Sequence, residues 1–268
     1  MPDSYTRTAQ FQDARFSESD LRGATFRDCD LRGVRIVSSM VDGIYLSGYD
    51  GRTGTVVVDD VDVTGFVAAE LDRRHPERVL LREMRTADDF RAVWATLDGL
   101  WDETLARAAL LPEDLRHTRV EGEWSFVETL RHLVFATDSW VGRVVLAEPH
   151  PFHRNALPHT DFPAGAPAQI GIDIDAEPSF AEAVAAYTER TGMVRAVLAA
   201  LTDQQRTEVR AGTPMPGMDE GPFTVGTCLR VVLNEHSAHH RYAVRDLAAL
   251  EARRSPLEPS DRPTGAPR

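Results

Sequence analysis

Asn234-Glu235-His236-Ser237-Ala238-His239-His240-Arg241-Tyr242 lies within a C-terminal run whose apolar residues recur with the period of one long helix. His236 and His240 are four residues apart and therefore share a face of that helix. At about 100° per residue, the same face carries Leu229, Leu233, Ala243, Val244 and Leu247, while Arg230, Asn234, Arg241 and Arg245 fall opposite. Unpaired polar rings in an apolar stripe cost free energy, so both imidazoles need partners. A divalent metal would satisfy them, and so would core hydrogen bonds. His239 stands about 60° off the centre of the stripe and reads as an outer or surface residue, or as a substitute for His240.

Working outward, three more helical segments precede this one. Thr86 can cap a helix to about residue 110, with Phe90, Trp94, Leu97, Trp101 and Leu105 apolar and Pro112 beyond its end. Ser125-Phe126-Val127-Glu128 is a capping box opening a second helix to about residue 147. A third runs from about Ser179 to Leu201, and the fourth from Thr224 to Glu251. Four such helices make a bundle. Residues 148–178, rich in Pro, His and Gly, form a connection too long to be idle, which points to a functional loop. A third metal ligand could come from His132 on the second helix or from His150, His153 or His159 in that loop, and periodicity does not choose among them.

The first third has a different period. Phe11, Phe16, Leu21, Phe26, Leu31, Ile36, Val41 and Leu46 recur every five residues, each preceded two positions earlier by a mostly small residue such as Ala9, Ala14, Ser19 or Ala24. Five fits neither helix nor strand but suits a square coil with one bulky and one small residue turned inward per side. Residues 9–48 resemble the pentapeptide-repeat family, which implies a right-handed quadrilateral β-helix of two coils. Val56, Val61 and Phe66 continue the phase more weakly, as a degenerate last coil before a connector through residues 70–74. The expected fold class is α+β, a short quadrilateral β-helix followed by a four-helix bundle. The expected divisions are 1–75 for repeats and connector, 76–252 for the bundle, and 253–268 for a disordered tail.

Two motifs carry a second resemblance. Glu123-Trp124-Ser125-Phe126-Val127-Glu128-Thr129-Leu130-Arg131-His132-Leu133 is similar to the second-helix signature of the DinB-like superfamily, and His236-Ser237-Ala238-His239-His240-Arg241 to its fourth-helix signature. The resemblance spans about residues 86–251. It implies a four-helix bundle that holds a divalent metal on three histidines, here His132, His236 and His240. Tyr242 and Ala243 depart from the Gly and Gln that many relatives carry there. Three neutral imidazoles leave a coordination position open, as in catalytic zinc sites. His ligands suit zinc, nickel, iron or copper. Glu128, one turn before His132, could orient its ring or simply cap the helix.

Composition narrows the function. All 30 basic residues are Arg, and the formal charge of −12 disfavours nucleic acid and anionic membrane as partners. No apolar run approaches the roughly 18 residues of a membrane span, the N-terminus lacks a secretory pattern, and Cys29 and Cys228 are too few for a disulfide framework. The expected setting is cytoplasmic. There is no Gly-x-Ser-x-Gly elbow, and a phosphate-binding Gly-Lys loop is impossible without Lys. The superfamily resemblance implies a metal-dependent thiol transferase or isomerase acting on a small-molecule thiol and an electrophile. The Arg-only bias suggests a GC-rich genome and hence mycothiol as co-substrate. The alternatives are a metal-binding protein without catalysis, or an interaction module using the repeats. Residues 9–48 hold six acidic residues and five Arg, too balanced to mimic duplex DNA, so they read as a scaffold on the bundle or a homodimer contact.

Overall fold

The computed structural model describes residues 3–27, 29–48, 54–160 and 162–254. It divides into two compact units, Met1–Thr53 and Gly54–Arg268. The expected tail from residue 255 onward, and Asp28 of the repeat, lie outside the described residues.

The second unit opens with a hairpin of β1 (Val57–Val58) and β2 (Val61–Asp62), then α1 (Thr64–Arg74) and α2 (Glu77–Glu83). A fading coil and a connector were the expectation for this stretch. Asp59 and Asp60 instead take positive φ and close a tight turn, and Asp62 accepts the first amide of the following helix, Thr64 N, at 2.9 Å.

Three of the four long helices begin as their sequences dictate. Thr86 caps α3 (Ala87–Ala109), Ser125 caps α5 (Phe126–Thr137) and Ser179 caps α7 (Phe180–Ala200), each in a reciprocal box with the acid three residues on. Thr224 accepts from Thr227 N at 3.0 Å at the start of the 30-residue α9 (Val225–Arg254). Short helices α4 (Glu113–Arg116), α6 (Ala166–Gln169) and α8 (Asp203–Thr207) sit in the connections. The connection before α9 is a hairpin, β3 (Val209–Gly212) against β4 (Gly221–Thr224).

Helices α3, α5, α7 and α9 bury Trp101, Leu130, Leu133, Phe135, Leu198, Leu229, Leu233 and Leu247 almost completely, which is the apolar stripe of each. The second helix departs from expectation at its C-terminal end. From Asp138 to Val145 it widens into π-helix, closing with Leu146 N to Val141 O at 2.9 Å. The long loop lies against this segment. A Cβ on Gly142 would come within 2.8 Å of Pro151 Cβ, so the close approach requires glycine.

The loop is tied down further along. Arg131 donates from Nε to Asn155 O at 2.8 Å, and Leu157 N donates back to Arg131 O at 3.0 Å. No described helix is long and apolar enough to cross a membrane.

In the first unit, backbone turns close at Phe11–Ala14, Leu21–Ala24, Leu31–Val34 and Val41–Ile44, once per two pentads. Gly23, Gly33 and Gly43 occupy the third position of their turns with φ of 76°, 78° and 75°, the signature of a type II turn. The expected sheet of a quadrilateral β-helix does not form among the described residues of this unit. Two coils give each side at most one neighbour, and sides of two or three residues between turns are too short to build a ladder. The bulky pentad residues from Phe11 to Leu46 therefore stay 42–60% exposed.

Candidate metal centre

Helix α9 meets α3 along one flank and α5 along another, and this separates its histidines. His236 and His240 sit on the flank that faces the core. His236 is 1% exposed, wedged among Trp94, Trp101 and Tyr187, and its Nδ1 lies 3.3 Å from the Tyr187 hydroxyl. His240 Nε2 lies 2.9 Å from Thr104 Oγ1. Core partners meet one nitrogen of each ring, whereas Nε2 of His236 is buried without a hydrogen-bond partner among the described residues, so hydrogen bonding accounts for that ring only in part.

The flank facing α5 carries Glu235 and His239, which are also four residues apart. With His132 they form the one grouping among the described residues in which three ligand atoms lie within 4.8 Å of one another. Glu235 Oε2 is 3.5 Å from His132 Nε2 and 3.3 Å from His239 Nε2. The structure thus brings His132 to α9 as the resemblance implied, but gathers it with Glu235 and His239 rather than with His236 and His240. Periodicity located the buried stripe correctly. A ligand facing a neighbouring helix need not lie at the centre of that stripe.

Electrostatics and hydrogen bonding show what the group could hold. His132 Nδ1 is 3.1 Å from the carbonyl of Leu157, a pure acceptor, so Nδ1 carries the hydrogen. Burial pushes the ring's pKa down against the opposing pull of Glu235, leaving it neutral near pH 7. Its Nε2 lone pair then faces a carboxylate oxygen. Glu235 is partly buried, which opposes its ionisation, and a lone pair facing its oxygen adds to that cost unless a positive charge sits between them. Lone pair and carboxylate converge with no proton of their own between them, and a cation fits that arrangement. A backbone carbonyl that fixes the tautomer of a histidine in this way is the usual second layer behind a metal ligand. Two imidazoles and one carboxylate match catalytic zinc and non-haem ferrous iron alike.

The other candidates have other roles. Glu128 accepts from Ser125 N at 2.8 Å and pairs with Arg119, so it caps α5 rather than touching His132. His153 Nδ1 accepts from Asn155 N at 3.0 Å, His159 packs edge-on to Phe135 and Phe162, and His150 is exposed. Cys228 is fully buried, which pushes its thiol up to about 11 and leaves it unreactive.

Burial also sets a pH dependence. It pushes His236 down from 6.5 to about 3. The unfolded chain takes up a proton at this ring near pH 6.5 and the native protein does not, so stability is full above 6.5 and falls as the pH drops toward 3. From pH 7 to pH 5 this ring alone should cost about 2 kcal/mol. Urea unfolding in EDTA should show that loss in the parent and much less of it in His236→Leu. Equal losses in the two proteins would locate the effect elsewhere.

Residues 96–244, more than half of the chain, match the family model of the DinB superfamily. Residues 9–48 match eight copies of the pentapeptide repeat. No curated protein and no solved structure matches the chain.

Proposed function

The chain belongs to the DinB superfamily, and from that premise we propose that its bundle holds a divalent metal on His132, Glu235 and His239 and uses it on a small thiol destined for an electrophile. One observation carries the reading: Nε2 of His132 and a carboxylate oxygen of Glu235 meet between two helices, with Nε2 of His239 beside them. A cation bound there would supply Lewis acidity, lowering the pKa of a thiol or water that reached it.

The chain's own residues supply the rest. The Leu157 carbonyl holds His132 in one tautomer, Glu235 contributes the negative charge, and the side chains of Glu235 and His239, 33% and 16% exposed, leave a way in from solvent. Zinc, iron and nickel are the metals in view, and mycothiol is the co-substrate favoured by the Arg-only composition. A cytoplasmic transferase or isomerase is the corresponding activity.

Elemental analysis of the purified full chain should find about one zinc or iron per chain. Thermal unfolding with added mycothiol should then shift upward only in the metal-loaded protein. A metal-free protein that refuses added zinc would sink this reading. A loaded protein indifferent to thiols leaves a metal-binding protein without catalysis.

The repeat unit favours a second role beside the first. We propose that residues 9–48 form a contact between two copies of the chain. Every described residue from 3 to 47 is exposed, including the bulky pentad positions, and repeat coils need covering at their open ends. The near balance of acid and Arg in this stretch removes the repulsion that would oppose self-stacking. Cys29 is exposed and Cys228 buried, so a bis-maleimide should cross-link copies at Cys29 alone. A strictly monomeric full chain in sedimentation would count against the contact.

A further inference from the structure

Trp124 immediately precedes the cap of α5 and is half-buried. Its indole lies against both imidazoles of the centre, at 4.5 Å and 40° to His132 and at 5.8 Å and 20° to His239. The two imidazoles are themselves 4.8 Å apart. Three rings from α9, α5 and the turn before α5 thus form one closed cluster, with Trp124 stacked on His239 and tilted against His132. The indole also borders a small cavity of about 10 Å³ that it shares with Phe126, Thr129, Ala243, Asp246 and Leu247. Its ring contacts are with the two imidazoles, and it sits on the turn that opens α5. The Ser125–Glu128 box anchors that turn, and Arg119 braces Glu128.

We propose that Trp124 is a positioning residue that holds His132 and His239 in register across two helices before a metal arrives and covers one flank of the cation. The inference rests on the metal centre proposed above. An isolated surface histidine must give up rotamer freedom when it ligates, whereas an imidazole already stacked against an indole has little left to lose. Contact with both ligands at once couples them, so the indole acts on affinity through the rings and not by ligation.

The test uses the full-length protein titrated with zinc under competition, alongside thermal unfolding without metal. Trp124→Ala should weaken zinc binding by about 10–100-fold, the range for groups that orient ligands. Trp124→Phe, which keeps a ring in place, should stay close to the parent. Cobalt(II) should quench tryptophan emission in the parent and lose most of that quench in Trp124→Phe.

Should Trp124→Ala not fold, Trp124→Leu fills the site without a ring and is expected to weaken binding in the same way. A lower melting temperature with unchanged zinc affinity in the Ala or Leu variant makes the residue merely structural and overturns the inference. So does undiminished cobalt quenching in Trp124→Phe. A parent that binds no zinc brings down the centre and the inference together, whereas a zinc-binding parent with an indifferent Trp124 brings down the inference alone.

Discussion

His239→Ala and Glu235→Ala should each strip the metal from the purified protein, while His236→Ala should keep it at full stoichiometry. The donors of the first two residues lie 3.3 Å apart and face His132 across the helix interface. Removing one leaves two ligands, and the loss of affinity should be at least the roughly 100-fold seen when an outer-layer group is removed. His236 is turned the other way, against Tyr187 and the two tryptophans. Its truncation empties a buried site and strands the Tyr187 hydroxyl, so it should cost about 2–4 kcal/mol of stability instead. Elemental analysis and urea unfolding on the same three variants separate the two effects. Metal lost in His236→Ala and kept in His239→Ala would return the centre to the trio that the resemblance alone implied.

The second large effect is expected at Asp138. Its carboxylate is fully buried at the start of the π-helical segment, accepting from Arg190 Nε on α7 and from His153 N at 2.7 Å in the long loop. Arg190 also donates to the carbonyl of Pro151. One buried ion pair therefore joins two helices and anchors the loop that later presents the Leu157 carbonyl to His132.

Asp138→Ala removes the buried anion at Arg190 Nε, leaving the guanidinium the largely exposed Glu189 carboxylate as its anion, and should cost about 3–5 kcal/mol. At about 2–4 °C per kcal/mol for a domain of this size, the melting temperature should fall by roughly 6–20 °C. The double variant Asp138→Leu/Arg190→Met removes both charges and should recover most of that stability. Zinc affinity should fall in the single variant as well, because the loop that fixes His132 loses its anchor. A single variant as stable as the double would show that the pair contributes little.

The sequence already held the four long helices. Thr86, Ser125 and Ser179 cap where their hydroxyls and the acids three residues on require. It also held the five-residue repeat and the convergence of His132 with the histidine-rich part of α9. Glu235 and His239 were legible only in part, since their spacing equals that of His236 and His240 and His239 stood as a substitute ligand.

Local pattern determines which side of a helix is apolar, because burial acts on each side chain separately. It does not determine which neighbour each flank of that helix meets. That depends on how α3 and α5 dock on α9, and so does the placement of Trp124 over both imidazoles. The π-helical turn and the Asp138–Arg190 pair depend likewise on residues 52 apart meeting in the interior. Periodicity is a property of one helix, whereas a metal centre belongs to the seam between two, and only the packed structure sets that seam.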